Sequence, residues 1–265
     1  MNKKTIQSIF LGMVLLLMYL PILILAVYSF MDSAIIGKSG SFTVKNYVYL
    51  FHSEDLRSMI FGTLILAVVV AVISTILGTL GAIGAFYSSK KLKRPIHLMN
   101  QIPVVNADVV TGFSICVLLI VFFKMDKASY VPLVIGLVSL CSPFVYLSVI
   151  PRLKQMDPQL YEAALDLGCS PFGALRKVVL PQLTSGIVSG FMMSITLTLD
   201  DYFITTYTKP SMFDTISTYV VNATKGAQTD VKTALWALST IIFLIVIFVV
   251  IGVNHTSRKE NDHEI

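Results

Sequence analysis

Apolar residues occur along this chain in blocks that are longer than a strand or a buried helix of a soluble domain requires. A helix needs about 20 apolar residues to cross the ~30 Å hydrocarbon core of a bilayer. Polar and charged residues gather in the intervals between the blocks. The pattern therefore predicts an all-α integral membrane protein of one domain, residues 1–265, with six transmembrane helices at about residues 9–30, 59–87, 102–123, 131–150, 183–207 and 234–253.

The first block follows a positively charged segment, Asn2-Lys3-Lys4, which is also how a secretory signal peptide begins. Its apolar run, residues 9–30, is longer than a signal peptide requires, and no small-x-small cleavage site follows it. We therefore interpret the block as a retained first span, which makes the protein multi-pass from its N-terminal end.

The longest polar interruption late in the chain, residues 152–182, carries the signals of a helix, a sharp turn and a second helix. Gly168 stands where a helix can end in a left-handed residue, a conformation that glycine adopts without steric cost. Ser170 is suited to cap the next helix, with Pro171 at its first position, and Pro181 is expected to end it. The density of these signals argues against an ordinary loop between two spans.

The same interruption resembles the EAA loop of ABC-importer permeases. The matching residues are Glu162-Ala163-Ala164, then Gly168, and after nine further residues Val178-x-Leu180-Pro181, where Val178 replaces the isoleucine that is usual in the family. The resemblance implies a MetI-like permease core. It also implies that Glu162, Ala163, Ala164, Gly168, Leu180 and Pro181 belong to a cytoplasmic coupling helix that docks into a cleft on an ATP-binding subunit. We call residues 152–182 the coupling loop.

Composition supports a membrane protein and removes other classes. Hydrophobic residues make up 55% of the chain and charged residues 13%, with a mean hydropathy of +0.79, which excludes a soluble globular domain. The net charge of +5 comes from residues in loops, so it does not indicate nucleic-acid binding. The three cysteines are widely spaced and indicate neither a disulfide framework nor a metal site.

Basic residues are divided unequally between the two sides that six spans define. The side that holds both termini and the coupling loop carries 12 Lys and Arg residues against 8 on the other, and residues 90–94 supply four of the 12. Short loops rich in Lys and Arg stay in the cytoplasm. The count therefore predicts that both termini and the coupling loop lie in the cytoplasm, and the resemblance to ABC-importer permeases implies the bacterial cytoplasmic (inner) membrane.

Glycines predict where helices approach one another closely. Gly78, Gly81 and Gly84 recur in the second span, and Gly186-x-x-x-Gly190 occurs in the fifth. Such small-residue strips let helix backbones pack tightly in a membrane.

Three carboxylates, Asp108, Asp200 and Asp201, fall inside predicted spans, whereas no Lys, Arg or His does. A charge within a span costs several kcal/mol unless it is paired or hydrated, so such residues are candidates for a transport pathway. Because no basic partner lies in the same spans, they favour a cationic substrate. The alternative is a structural role, with these carboxylates capping or bending partly unwound helices. Counting along a straight helix places Asp108 near the bilayer centre.

The acidic runs support a narrower resemblance. Asn106-Ala107-Asp108-Val109-Val110, the run Leu197-Thr198-Leu199-Asp200-Asp201-Tyr202 and the order of the spans resemble permease subunits of spermidine/putrescine importers, although Ser-Pro is usual where this chain has Asn106-Ala107. Permeases for ferric iron or thiamine have a similar architecture and are the alternative. The resemblance implies a substrate pathway lined by Asp108, Asp200, Asp201 and Tyr202. An aromatic ring there suits an amine, but the interfacial aromatic belt explains it equally well.

The resemblance also implies partners. This chain is expected to form half of a translocation pathway with a second permease subunit, two ATP-binding cassette subunits that hold ATP and Mg, and an extracytoplasmic solute-binding protein that delivers a small cationic substrate. Membrane lipid surrounds it, no nucleic acid is involved, and no cofactor, metal or catalytic residue is expected on this chain, which has no complete phosphate loop.

A non-transporting scaffold and a membrane-embedded enzyme are the alternatives. The intact coupling-loop spacing argues against the scaffold, and no HExxH motif, His/Cys cluster or nucleophile elbow supports the enzyme.

Overall fold

A computed structural model describes residues 3–32, 40–157, 159–225, 233, 235–241 and 243–244. These residues are mainly helical, and the one β-bridge recorded among them joins Met31 to Phe42. Two π-helical turns, Val117–Phe122 and Leu175–Val179, continue α5 and α8. The helices are α1 (Lys3–Tyr28), α2 (Lys45–His52), α3 (Glu54–Tyr87), α4 (Lys90–Val105), α5 (Asp108–Cys116), α6 (Val131–Gln155), α7 (Gln159–Asp166), α8 (Pro171–Ala174), α9 (Leu180–Gln182), α10 (Thr184–Asp200), α11 (Phe203–Thr208) and α12 (Ile216–Lys225).

The chain divides into two compact units, residues 1–58 with 220–265, and residues 59–219. In the first unit, the segment after α1 folds back onto the end of that helix. The buried Asn46 amide donates hydrogen bonds to the carbonyl oxygens of Ser29 (2.8 Å) and Met31 (3.0 Å). The hydroxyls of Tyr47 and Ser29 lie 2.8 Å apart and share a hydrogen bond. These contacts fix α2 to the end of α1.

Three predicted spans are continuous helices. The segments long and apolar enough to cross a membrane include Gln7–Tyr28, Glu54–Tyr87 and Val131–Gln155, which match the first, second and fourth predicted spans. α3 begins earlier than its apolar run, at Glu54 and Asp55, because acidic residues suit the positive end of a helix. The sixth predicted span, residues 234–253, lies largely outside the described residues. Among the residues described, three helices can span, or up to five if each of two bent pairs is one span.

The third span predicted at residues 102–123 corresponds to an interrupted helix pair, Lys91–Val105 and Asp108–Phe122. The helix there begins at Lys90 and is interrupted at Asn106 and Ala107, and the helices on either side are bent by 104°. Asn106 has an extended backbone, and its side-chain amide donates to the Thr111 hydroxyl (2.9 Å). Asparagine competes in this way with helical hydrogen bonding, which explains the break.

The fifth span predicted at residues 183–207 is interrupted as well and consists of α10 and α11. α10 begins at Thr184, at a 71° bend from the preceding helix, and ends at Asp200, after which α11 starts a new helix at Phe203. The interruption falls at Asp201, whose backbone is extended and whose carboxylate binds backbone N–H groups at the start of α11. An aspartate that caps a new helix ends the old one.

In the second unit, α6 lies between α3 and α10. A β-carbon on Gly78 would lie 2.6 Å from Val145 Cβ, and one on Gly190 would lie 3.1 Å from Val145 Cα. The close packing predicted at Gly78 and at Gly186-x-x-x-Gly190 is therefore confirmed. A β-carbon on Gly81 would lie 4.0 Å from the Tyr146 ring, and one on Gly84 would meet nothing within 4 Å among the described residues, so these two positions show no close approach within this chain.

Two buried apolar clusters occupy opposite halves of α6. One joins its later half to α3 and to the coupling loop, and the other joins its earlier half to α3 and α11. α10 runs antiparallel to α6, because Cys141 contacts Thr198 and the later Ser148 faces the earlier Gly186. The first cluster contains Ala82, Ile83, Ala85, Val145, Tyr146, Val149, Ile150, Leu153, Met156, Val179 and Leu183; the second contains Leu66, Val70, Leu133, Leu137, Val138, Leu140, Cys141 and Ile204.

Candidate functional site

The coupling loop folds as its residues predict. α7 ends at Asp166, and Gly168 adopts a φ of +84°, which confirms the left-handed turn. The Ser170 hydroxyl accepts a hydrogen bond from the Gly173 amide (3.2 Å), and Pro171 is the first residue of α8. The second helix ends at Gln182, one residue after the end predicted at Pro181. The predicted helix start at Pro158 lies outside the described residues.

The residues of the family pattern divide between two faces of this loop. Ala164 is buried, and Leu180 packs against the apolar cluster at the end of α6. Glu162, Ala163 and Pro181 are exposed. The loop therefore uses part of its pattern to attach to the membrane helices and presents the rest outward.

Two apolar side chains that the pattern does not include are strongly exposed beside the turn. Leu167 is 86% exposed and Phe172 is 74% exposed. They flank Gly168 in the chain, so the turn carries both. Large apolar side chains exposed together in this way are typical of a protein interface.

Ring contacts attach the outward-facing loop to the end of α3. The ring centroids of Tyr161 and Tyr87 are 4.9 Å apart, and Tyr87 also packs edge-on against Phe86. The Lys93 ammonium lies 5.0 Å from the centroid of the Phe86 ring. Movement of α7 would therefore be transmitted to α3 and α4 through packed aromatic side chains.

The predicted carboxylates lie at the two helix breaks. Asp108 is the first residue of α5, directly after Asn106 and Ala107, and Asp200 is the last residue of α10. Asp108 does not act as the N-cap that the structural alternative proposes, because Ala107 occupies that position and no side chain caps the helix. The prediction that Asp108 lies near the bilayer centre assumed a straight helix, and the 104° bend is inconsistent with that assumption.

The Asp201 carboxylate binds the first turn of α11, although Tyr202 is the residue that directly precedes the helix. Its carboxylate accepts hydrogen bonds from the Thr205 amide (2.7 Å), the Thr205 hydroxyl (2.8 Å) and the Ile204 amide (3.4 Å). The residue is only 8% exposed. The Asp201 carboxylate therefore makes the helix-capping contacts of the structural alternative, whereas the side chain of the neighbouring Asp200 is exposed.

The two helix breaks meet because α5 packs against α11. A β-carbon on Gly112 would lie 3.1 Å from the backbone of Ile204. One turn further on, the Cys116 thiol donates to the Tyr207 carbonyl (3.4 Å) and the Phe113 ring packs edge-on against Tyr207 at 5.9 Å. We call Asp108, Asp200 and Asp201, which this packing gathers, the acidic junction.

Two carboxylates of the junction, those of Asp108 and Asp201, are close enough to interact electrostatically. Asp108 acts electrostatically on Asp201, which is held by its three hydrogen bonds. Within the described ranges, the Asp108 and Asp200 carboxylates have neither a salt bridge nor a recorded hydrogen bond, and both are exposed. Tyr202 is half-buried beside them, with its ring edge-on to Phe203 at 5.3 Å.

A salt bridge that the sequence did not indicate lies at the other end of α11. The Lys209 ammonium is 2.8 Å from Asp214 Oδ1 and donates a further hydrogen bond to the Phe213 carbonyl (2.7 Å). The basic residue that follows the acidic run most closely is therefore already neutralised. The charge pattern alone does not reveal this, because both residues belong to a loop outside the predicted spans.

The acidic junction is far from the coupling loop. The Cys141 thiol lies 3.6 Å from the hydroxyl of Thr198, two residues before Asp200. From Cys141 to the end of α6 at Gln155 the helix rises about 21 Å. That distance is roughly two thirds of the ~30 Å hydrocarbon core of a bilayer.

The arrangement of broken membrane helices and an outward-facing loop agrees with known proteins. A family model described as "Binding-protein-dependent transport system inner membrane component" matches residues 75–259. This chain belongs to that family. It is a multi-pass membrane component of a binding-protein-dependent transport system, and the matched region includes the coupling loop and both helix breaks.

Named relatives cover most of the chain. "Spermidine/putrescine transport system permease protein PotC" from Escherichia coli strain K12 is 29% identical over 92% of this chain and 90% of its own length. "Putrescine transport system permease protein PotI" from the same strain is 28% identical over 85% of this chain and 81% of its own length. A crystal structure of a bacterial ABC transporter that imports the acidic polysaccharide alginate contains a chain with the same fold, at a TM-score of 0.71, 18% identity, and coverage of 96% of this chain and 95% of that one.

Proposed function

We propose that this chain forms half of the translocation pathway of an ATP-driven importer for small polycationic amines such as spermidine and putrescine. The observation that carries the proposal is that each of the two helix breaks carries an exposed carboxylate, Asp108 or Asp200, without a salt-bridge partner among the described residues, and that α5 and α11 pack together beside them. An amine with two or three positive charges complements that pair. The relatives named for spermidine/putrescine and putrescine transport support the same substrate class.

Four helix ends lie at the junction. α4 ends at Val105 and α10 at Asp200, whereas α5 begins at Asp108 and α11 at Phe203, so partial charges of both signs offset one another and the carboxylates determine the sign of the site. Interrupted helices at membrane depth are tolerated where they are buried in protein or line a water-filled pathway, and substrate sites of transporters are typically built there. These features support a position for the substrate next to both breaks.

The residues of the junction take different roles in this proposal. Asp108 and Asp200 pair with ammonium groups of the substrate, and the Tyr202 ring adds a face to which an ammonium is attracted. Asp201 positions α11 rather than binding substrate, since its carboxylate already accepts three hydrogen bonds. This division selects Asp200 as the member of the acidic pair that faces the pathway.

The coupling loop supplies the connection to energy. We assign its exposed surface, including Glu162, Ala163, Leu167 and Phe172, to the contact with one of two separate ATP-binding subunits that hydrolyse ATP. Closure of those subunits moves the coupling loops, the pathway formed with a second permease subunit opens outward, and a solute-binding protein releases the amine into it. The contacts of Tyr161 with the end of α3 support such transmission.

This mechanism requires the coupling loop and both termini to face the cytoplasm, as the distribution of basic residues predicts. In a background without native cysteines, Ser170→Cys should react with a membrane-impermeant reagent only from the cytoplasm. Lys127→Cys, in the exposed loop before α6, should react only from outside. Labelling of position 170 in intact cells would overturn the orientation.

The substrate role of the junction is tested by Asp108→Asn and Asp200→Asn in the assembled importer. Each change keeps the shape of the side chain and removes the charge, and losing a desolvated charge pair costs about 2–5 kcal/mol. Uptake of spermidine and putrescine at matched expression should therefore fall roughly 30-fold or more. Asp126→Asn is the matched control, because this exposed loop carboxylate accepts only a local hydrogen bond from the Ala128 amide.

Near-normal polyamine uptake by both variants would remove the carboxylates from substrate binding. Uptake of thiamine, ferric iron and a neutral solute by the wild-type importer provides the comparison between substrate classes. Accumulation of one of these in place of polyamines would replace the proposed substrate while leaving the family assignment unchanged.

A further inference from the structure

The Lys209–Asp214 salt bridge is held from several sides. Lys209 follows the last residue of α11, and its side chain is 14% exposed. Besides Asp214 at 2.8 Å, its ammonium binds the Phe213 carbonyl, and the Thr218 hydroxyl donates to Asp214 Oδ1 (3.2 Å). The Phe213 ring in turn packs edge-on against Tyr130 at 5.2 Å. The ammonium is therefore fixed in direction as well as paired in charge.

The same salt bridge is adjacent to the acidic junction. The Ser217 hydroxyl donates to the carbonyl oxygen of Asp200 (3.1 Å), and the next residue, Thr218, donates to Asp214. α11 supplies a second connection, since Asp201 caps its first turn and the Lys209 amide closes its last turn on the Thr205 carbonyl (2.8 Å). Two adjacent residues, Ser217 and Thr218, thus connect the backbone of Asp200 to the partner of Lys209 through hydrogen bonds.

We propose that Asp214 is a positioning residue for substrate selection: it holds the Lys209 ammonium away from the acidic junction, so that Asp108 and Asp200 meet a cationic substrate instead of an internal cation. This inference rests on the proposed polyamine transport. A six-residue helix such as α11 spans only about 9 Å, which is comparable to the ~8 Å Debye length at physiological ionic strength. A Lys209 ammonium without its partner would repel the amine and compete with it for the carboxylates.

A purely structural role makes a different prediction. If the salt bridge only closes the loop between α11 and α12, removal of Asp214 leaves a poorly solvated ammonium that destabilises the loop, so the thermal unfolding temperature falls and spermidine and putrescine uptake fall equally. If Asp214 acts by restraining a charge, the harm comes from the released ammonium, is larger for the amine with more charges, and disappears when Lys209 is neutralised as well. A double-mutant cycle that measures the uptake of both amines together with thermal unfolding separates the two roles.

The experiment compares Asp214→Asn, Lys209→Gln and the double variant in the assembled importer with its binding protein, at matched expression. Initial uptake of radiolabelled spermidine and putrescine is measured below saturation. Asp214→Asn should lower spermidine uptake on the order of tenfold and putrescine uptake less, because the repulsion grows with the number of charges on the amine. Lys209→Gln and the double variant should transport within about twofold of wild type, on the same electrostatic argument.

Raising the ionic strength gives a readout that a structural role would not change. Added salt should reduce the difference between Asp214→Asn and wild type, because it screens the repulsion between the released Lys209 ammonium and the amine in the hydrated pathway. Wild-type uptake by Asp214→Asn, or a double variant as impaired as the single one, would overturn the inference while polyamine transport stands. A wild-type importer that carries only a neutral solute would overturn both proposals.

Discussion

The coupling loop and the acidic junction both expose groups for which we propose a binding partner, but they are built in different ways. The loop is formed by consecutive residues, and its turn exposes the apolar Leu167 and Phe172. The junction joins two segments about 90 residues apart in the chain, and it exposes the carboxylates of Asp108 and Asp200. An apolar surface suits a protein partner, whereas unpaired carboxylates suit a cation. In the proposed function, the coupling loop thus attaches to the ATP-binding subunit and the acidic junction binds the substrate.

The two regions also differ in what holds them. Local backbone preferences form the loop: a left-handed glycine at position 168 and a serine cap at position 170. The junction depends on close contacts between helices at glycines. Gly112 lies against the backbone of Ile204, and Gly136 lies against the Ile204 side chain. Changes at the junction should therefore cost more than changes at the turn, and they should affect transport in a different way.

The largest effect is expected for Gly112→Val. The added β-carbon would lie 3.1 Å from the Ile204 backbone, so α5 and α11 must separate, at a cost of about 3 kcal/mol. Thermal unfolding of the purified importer in detergent should shift downward, and polyamine uptake should be lost because Asp108 moves away from Asp200. Gly84→Val is the control, since a β-carbon there meets nothing within 4 Å. Equal behaviour of the two variants would contradict the contact between the breaks.

A smaller effect is expected at the cap of α11. Asp201→Ala removes the acceptor of three hydrogen bonds and should destabilise the protein by about 2 kcal/mol, with reduced uptake. Asp201→Asn keeps one good acceptor and should retain most of both, because asparagine also caps helices well. Thermal unfolding and uptake are measured together. Loss of uptake in Asp201→Asn at normal stability would instead assign Asp201 to substrate binding.

The smallest effect on stability is expected for Gly168→Val. A β-branched side chain at a φ of +84° is strained by about 1 kcal/mol, and no neighbouring atom lies within 4 Å of the new β-carbon. The protein should therefore insert normally but attach less firmly to the ATP-binding subunit, as measured by co-purification and by stimulated ATPase activity. Gly168→Asn is the comparison, since asparagine tolerates this conformation. A fully coupled Gly168→Val variant would show that the turn geometry is not needed.

Much of the fold follows from local sequence signals. Long apolar runs identify α1, α3 and α6, because a bilayer demands that length, and the signals at Gly168 and Ser170 are properties of single residues acting on their own backbone. The sequence offered partly unwound helices at the carboxylates only as an alternative, and it did not predict the positions and angles of the two breaks. Breaks at Asn106 and Asp201 interrupt runs whose average hydropathy stays high, and one or two polar residues do not outweigh that average.

The sequence by itself determined that Asp108, Asp200 and Asp201 stand in apolar surroundings with no basic residue in the same spans. Only the tertiary structure decided which of them is already engaged. Asp201 is satisfied by the amides of α11, whereas Asp108 and Asp200 face outward at a contact that depends on the packing of α5 against α11. Hydrogen bonds to a helix end and close glycine contacts depend on the distances between separate helices, and a linear order of residues does not contain those distances.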